Sequence, residues 1–294
     1  MGRVPGRRPA AVVSDLGPVN PGQAADAAWL RRWRLRPDGD PVTTASSTLM
    51  PVLTEHGEPA MLKLAHTEEE VRGGEFLAAL DGHGAAPVLR RDGAALLTER
   101  ATGERDLVEM VRGGRDDEAT RALCDAAGRI HEASARILIA EPAPRLVDLP
   151  TWFRHLLSHA DDLSPLHRRG AAIAMELLGT PREAVALHGD LHHGNVLDFG
   201  ERGWLAIDPK GLVGDRAFDY CNLLCNPSHD LALQPGRLER QFAVTVDASG
   251  LEPAHLARWL VAWCALSSTW FALDDDPALA DTAAAIGERA LTLA

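Results

Sequence analysis

The chain has 294 residues, 46% of them hydrophobic and 24% charged, the balance of a globular protein with room for two lobes. Its formal charge of -12 argues against a phosphate-backbone partner, which would need a basic face, and is compatible with a cationic small molecule. No apolar run approaches the ~20 residues of a membrane span and no apolar segment follows Arg3, Arg7 and Arg8, so a cytoplasmic protein with no membrane or nucleic-acid partner, monomeric or dimeric, is expected.

Residues 1–20 hold Pro5, Pro9, Pro18 and three glycines and read as a loose arm. A leading helix follows over residues 22–34, with Ala25, Ala28, Trp29 and Trp33 spaced for one face. Val42 to Val52 reads as two strands with Ser46-Ser47 near the bend. Ala60 to Leu64 is the next strand, and its Lys63 is a cation among apolar neighbours, costly unless paired. Thr67 caps a helix that runs to about Leu80, with Glu68, Glu69 and Glu70 favourable in its first turn. Two more strands, Pro87 to Leu89 and Ala95 to Thr98, flank the Asp92-Gly93 turn, and Glu99 to Gly103 leaves the sheet.

From Asp106 the pattern is helical. Asp117 to Ala135 has Ala119, Leu123, Cys124, Ala127 and Ile130 at helical spacing, and His131 on it is read as structural. Trp152 to Ala160, Leu166 to Leu178, Arg237 to Val246, Pro253 to Leu273 and Pro277 to Leu293 are further helices. Trp259, Trp263 and Trp270 are read as core. Cys124, Cys221, Cys225 and Cys264 lie in apolar surroundings without a zinc spacing and are read as buried thiols.

Between the helices lies a polar string, Leu187-His188-Gly189-Asp190-Leu191-His192-His193-Gly194-Asn195, then a hairpin ending at Asp208-Pro209-Lys210-Gly211. Strand, loop and hairpin would bring Asp190, Asn195 and Asp208 together. Their oxygens are hard ligands of the kind Mg²⁺ uses beside phosphates, and one carboxylate can accept a proton from an attacking hydroxyl. A different reading takes His188, Asp190, His192 and His193 as the ligands of a metal-dependent hydrolase.

The string resembles the kinase catalytic loop, H-R-D-L-x-x-x-N followed by D-F-G, with Gly189 in place of Arg and Asp208-Pro209-Lys210 in place of D-F-G. Leu187 to Tyr220 is similar to the aminoglycoside/hydroxyurea antibiotic resistance kinases, which include streptomycin 6-phosphotransferases. The resemblance implies an α+β bilobal fold: a small antiparallel-sheet lobe over 1–103 and a mostly helical lobe over 104–294. It implies an ATP- and Mg²⁺-dependent transfer of phosphate to a hydroxyl of a small molecule, streptomycin or a compound like it. Hydroxyurea or another small metabolite, or nucleotide binding without turnover, are the alternatives.

Carried onto this chain, the family roles make Asp190 the proton acceptor and Asn195 and Asp208 the metal ligands. Lys63 anchors the nucleotide phosphates and Glu75 pairs with it. Ser46 and Ser47 replace a glycine-rich phosphate loop. The carbonyl of Glu99 and the N–H of Ala101 meet adenine. His188 and Asp219 support the loop, and Lys210 meets a phosphate or pairs with Asp190 or Asp215. Asp274, Asp275, Asp276 and Trp270 are candidate acceptor contacts, with Asp161 and Asp162 a second acidic run; each run also reads as a solvated helix end.

Overall fold

A computed structural model describes residues 21–180 and 182–293. The expected arm over 1–20 lies outside them. The first lobe contains α1 (Pro21–Trp33), β1 (Arg36–Pro37), β2 (Val42–Thr43), β3 (Ser47–Leu53), β4 (Pro59–Ala65), α2 (Glu68–Leu80), β5 (Val88–Asp92) and β6 (Ala95–Glu99). The strands form one antiparallel sheet in the order β1-β3-β4-β6-β5, with β2 paired to β3.

The pleat explains the lysine among apolar residues. Successive strand residues face opposite sides of the sheet. Ala60, Leu62 and Leu64 of β4 are buried with Met50, Val52, Ala95 and Leu97, and Trp29, Leu30 and Trp33 cover that side. Met61 and Lys63 point the other way, and Lys63 sits opposite Leu49 and Leu96 in register. α2 begins at Thr67, whose hydroxyl accepts the Glu70 N–H at 3.4 Å, as the capping pattern predicts.

The second lobe is mainly helical: α3 (Leu107–Arg112), α4 (Asp116–Glu132), α5 (Ser134–Leu138), β7 (Val147–Asp148), α6 (Leu149–Trp152), α7 (Arg154–His159) and α8 (Pro165–Gly179) lead to the polar string. β8 (Ala184–Leu187), β9 (Val196–Asp198), β10 (Trp204–Ala206) and β11 (Leu212–Asp215) carry it, followed by α9 (Asp219–Cys225), α10 (His229–Ala232), α11 (Arg237–Ser249), α12 (Pro253–Leu273) and α13 (Pro277–Ala290). β9 and β10 form the expected hairpin, while β11 lies between β7 and β8. The single helix expected from Trp152 is two.

α12 is apolar on all sides, the mark of a helix at the centre of a core. With 21 residues it is long and apolar enough to cross a membrane, yet 72% of its most apolar stretch is buried inside the protein. The four cysteines are buried and free, as expected. The lobes meet where Ala86 donates to the Ala206 carbonyl at 2.8 Å and Ala206 donates to the Gly84 carbonyl at 2.9 Å. These bonds hold the β9–β10 hairpin under the sheet.

Candidate active site

The polar string leaves β8 and turns at Gly189, whose φ is +84°. A Cβ there would meet Leu212 at 2.8 Å, so glycine answers both the left-handed backbone and the close packing. The buried Asp219 carboxylate anchors this turn. It accepts the His188 N–H at 2.9 Å and the Gly189 N–H at 2.7 Å, and His131 Nε2 lies 2.9 Å from its Oδ2. Burial alone would raise its pKa, but the His131 contact, the nearby His188 and the backbone donors hold it below the usual range. His131 is therefore structural, as expected.

His188 is fully buried, and burial depresses its pKa. Its Nδ1 accepts the Asp190 N–H at 3.2 Å and its Nε2 lies 2.9 Å from the Ile207 carbonyl, so the ring braces the loop as a neutral imidazole. Asn195 Nδ2 donates to the Asp190 carbonyl at 2.9 Å, which leaves its side-chain oxygen available. The Ile207 N–H bonds the Asn195 carbonyl at 2.8 Å and draws the end of β10 towards the loop. Asp208 follows with φ of +59°, an uncommon backbone for a residue with a side chain and a mark of a constrained site.

Two cavities flank the loop. The first, about 430 Å³, lies between the lobes and is lined by Lys63, Asn195 and Asp208, by Glu99 and Ala101 at the edge of the sheet, and by apolar residues including Met61 and Leu197. The second, about 400 Å³, is lined by Asp190, Lys210, Glu69, Trp152, Trp270 and Asp274, with Trp263 and His155 beside them. The polar string is the wall between the two.

Asp190 is held by its surroundings in an unusual state. Burial raises its pKa to about 7; Asp208 and Glu69 add to the rise, while Lys210 and Asn195 oppose it. Lys210 lies 3.3 Å from Glu69, the partner that the two expected alternatives did not include. Burial would lower its pKa, but Asp190, Glu69, Asp208 and Glu70 together raise it. Asp208 pairs with Lys63; burial pushes its pKa up, and Lys63, Lys210 and His188 more than reverse this.

Three expectations need correction. Lys63 pairs with Glu70, not Glu75. Five residues further along α2, Glu75 is rotated by about 140° at ~100° per residue. It is bonded instead to Arg145 at 2.9 and 3.0 Å. Ser46 and Ser47 do not border the first cavity. Their N–H groups are taken by the Thr44 hydroxyl at 3.3 and 3.1 Å, a local turn bond that competes with any phosphate. Of the acidic run after Trp270, Asp274 alone lines the second cavity. Asp276 caps α13 by accepting the Leu279 N–H, and Asp275 is exposed, as are Asp161 and Asp162.

The tryptophans also divide. Trp259 is wholly buried, but Trp263 and Trp270 border the second cavity, where Trp152 meets Trp270 edge-to-face at 5.6 Å. The hydrolase reading finds no support in the geometry. Among the described residues no group of three His, Cys, Asp or Glu side chains converges on a metal position. Both His188 nitrogens are engaged, and His192 Nδ1 accepts the Gly194 N–H at 3.0 Å.

Residues 32–275 match the model of the aminoglycoside/hydroxyurea antibiotic resistance kinases. The chain belongs to that family. It is 47% identical over 247 residues to the streptomycin 3''-kinase of Klebsiella pneumoniae, covering 82% of this chain and 90% of that one. It is 32% identical over 280 residues to the streptomycin 6-kinase of Streptomyces glaucescens, with 89% and 86% covered. Among solved structures, an amicoumacin kinase in complex with AMP-PNP, Ca²⁺ and Ami aligns with a TM-score of 0.63 at 16% identity, covering 90% of this chain and 93% of that one. An aminoglycoside phosphotransferase in ternary complex with ADP and hygromycin B aligns with a TM-score of 0.62 at 12% identity, over 90% and 98%. At such identities the likeness is one of fold, and it agrees with the bilobal kinase-like architecture. This family member is a phosphotransferase with an alcohol group as acceptor.

Proposed function

We propose that this kinase transfers the γ-phosphate of ATP to a hydroxyl of streptomycin. The observation that carries the reading is the position of the polar string between two cavities. Asn195, Asp208 and Lys63 face the cavity between the lobes, and Asp190 faces the other. A nucleotide in the first and an acceptor in the second would meet across the loop.

Residues 1–103 form the nucleotide-binding lobe in this reading, with Glu99 and Ala101 at its hinge, and residues 104–294 carry the acceptor. The Asn195 side-chain oxygen and the Asp208 carboxylate fit a hard cation, and they line one cavity with Lys63. Mg²⁺ held there would neutralise charge on the phosphates. Lys63, kept in place by Glu70, offers an ammonium to the phosphate chain. Asp190 accepts or orients the acceptor hydroxyl proton, a role for its ionised form. Transfer of this kind depends mainly on positioning and charge, so few groups are needed.

Streptomycin suits the second cavity because its guanidinium groups need carboxylates and flat surfaces. Asp274 and Glu69 supply the first and Trp152 and Trp270 the second. The 47% identity to a 3''-kinase, against 32% to a 6-kinase, favours the 3''-hydroxyl as acceptor. The test is Mg²⁺-ATP consumption with streptomycin and hydroxyurea offered separately, followed by product mass and assignment of the phosphorylated carbon. A single phosphate at another carbon would move the site of attack. Transfer to hydroxyurea and not to streptomycin would replace the substrate. ATP binding without transfer to either would reject the streptomycin assignment.

A further inference from the structure

The carboxylate of Asp190 is held from two sides, and one of them lies outside the polar string. Asn222, in α9, is buried with 8% of its surface exposed. Its Nδ2 donates to Asp190 Oδ1 at 2.9 Å. A side-chain amide could present oxygen there as easily as nitrogen, but a second amide fixes the choice. Asn226 Nδ2 donates to Asn222 Oδ1 at 2.9 Å and to the Asn222 carbonyl at 3.0 Å. With its oxygen engaged by Asn226, Asn222 must turn its N–H₂ to Asp190.

The chain continues into the lobe. The Asn226 carbonyl accepts from Arg237 Nη2 at 3.1 Å, and Arg237 is joined to Asp116 by bonds of 2.6 and 3.0 Å. Asp116 opens α4 and Arg237 opens α11, so two long helices back the contact. On the opposite side, Asn195 Nδ2 lies 3.4 Å from Asp190 Oδ2, a loose contact. Oδ1 is therefore committed and Oδ2 remains the oxygen open to an acceptor hydroxyl.

We propose that Asn222 is a positioning residue that sets the direction of the Asp190 carboxylate, with Asn226 holding Asn222 in register. The torsion it controls has a broad, shallow well, so without the amide the carboxylate swings freely. The inference rests on Asp190 as the proton acceptor of the proposed reaction.

The test pairs kinetics with crystal structures. Asn222→Leu keeps about the size of the side chain and removes the donor; Asn222→Ala removes both. Each lowers kcat by about 10- to 100-fold, the range expected for a misaligned reacting group, and leaves KM for ATP within about two-fold. Asn226→Ala gives a smaller fall. The Asn222→Ala/Asn226→Ala double variant is no slower than Asn222→Ala, because both changes cut one chain. Crystals of Asn222→Leu and Asn226→Ala show the Asp190 carboxylate rotated from its present direction. An unchanged kcat in folded variants overturns the proposal, as does a loss confined to KM for ATP or a carboxylate that stays in place. Wild-type enzyme that ignores streptomycin defeats the substrate reading, while the crystal structures still decide the role of Asn222.

Discussion

Two adjacent glycines in α2, Gly73 and Gly74, should respond differently to alanine. Each lies inside a helix, where Gly→Ala is worth about 1 kcal/mol in favour of the helix. At Gly74 an added Cβ meets only the Leu96 side chain, at 3.6 Å, an ordinary contact, so the gain should be realised. At Gly73 the same atom falls onto the Pro209 carbonyl oxygen, which is backbone and cannot rotate away. Overpacking of this kind costs about 1–3 kcal/mol, so Gly73→Ala should be neutral to about 2 kcal/mol destabilising. The two variants then differ by roughly 1–3 kcal/mol, or about 2–12 °C in melting midpoint at about 2–4 °C per kcal/mol. Thermal melts followed by circular dichroism measure the difference. Gly73→Ala should also raise KM for ATP, because relief of the clash moves Asp208 or carries Glu70 away from Lys63. Equal stabilisation by both alanines would refute the claim that α2 rests directly on the backbone beside Asp208.

Removal of each candidate glutamate separates the observed pair from the expected one: Glu70→Ala should raise KM for ATP and lower kcat by about ten-fold or more, whereas Glu75→Ala should leave both near wild type, with Arg145 still held by Glu68. Asp190→Ala should abolish transfer with ATP binding retained, and calorimetry with ATP alongside the transfer assay checks both halves. The raised pKa of Asp190, about 7, predicts kcat/KM that falls about ten-fold per pH unit below 7, read from a pH–rate profile. The sign for stability follows from the same shift. A carboxyl whose pKa is raised on folding stabilises most below its unfolded value and loses that contribution as pH rises to about 7, so the melting advantage of Asp190→Asn should grow from pH 5 to 7 and then level off. Asp219→Ala strips two backbone donors and His131 of a buried partner and should cost about 3–5 kcal/mol in denaturant unfolding.

What was legible in the sequence is what local pattern controls. The pleat of β4, the Thr67 cap, the hairpin to Asp208 and the grouping of Asp190 with Asn195 depend on neighbours in the chain or on one short loop. What escaped depends on distance across the fold. The choice between Glu70 and Glu75 is set by the rotation at which α2 meets the sheet, and two acids on one helix carry no label for it. Nothing beside Gly73 in the chain marks the Pro209 backbone that lies against it. Trp263 and Trp270 share an apolar spacing with Trp259, yet the ring that fills a core and the ring that walls a cavity differ only in what lies opposite. Asn222 shows the limit most clearly. It stands 32 residues from Asp190 in an apolar stretch, and an isolated amide there could equally serve a turn, a cap or a helix contact. Only the Asn226 amide, bonded to both the side-chain oxygen and the carbonyl of Asn222, gives its N–H₂ one direction, and that direction is the Asp190 carboxylate. Support for the Asp190 carboxylate thus comes from α4, α9 and α11 together, far apart in sequence. In that arrangement a change at Asp116 or Arg237, well away from both cavities, should weaken kcat before it weakens ATP binding.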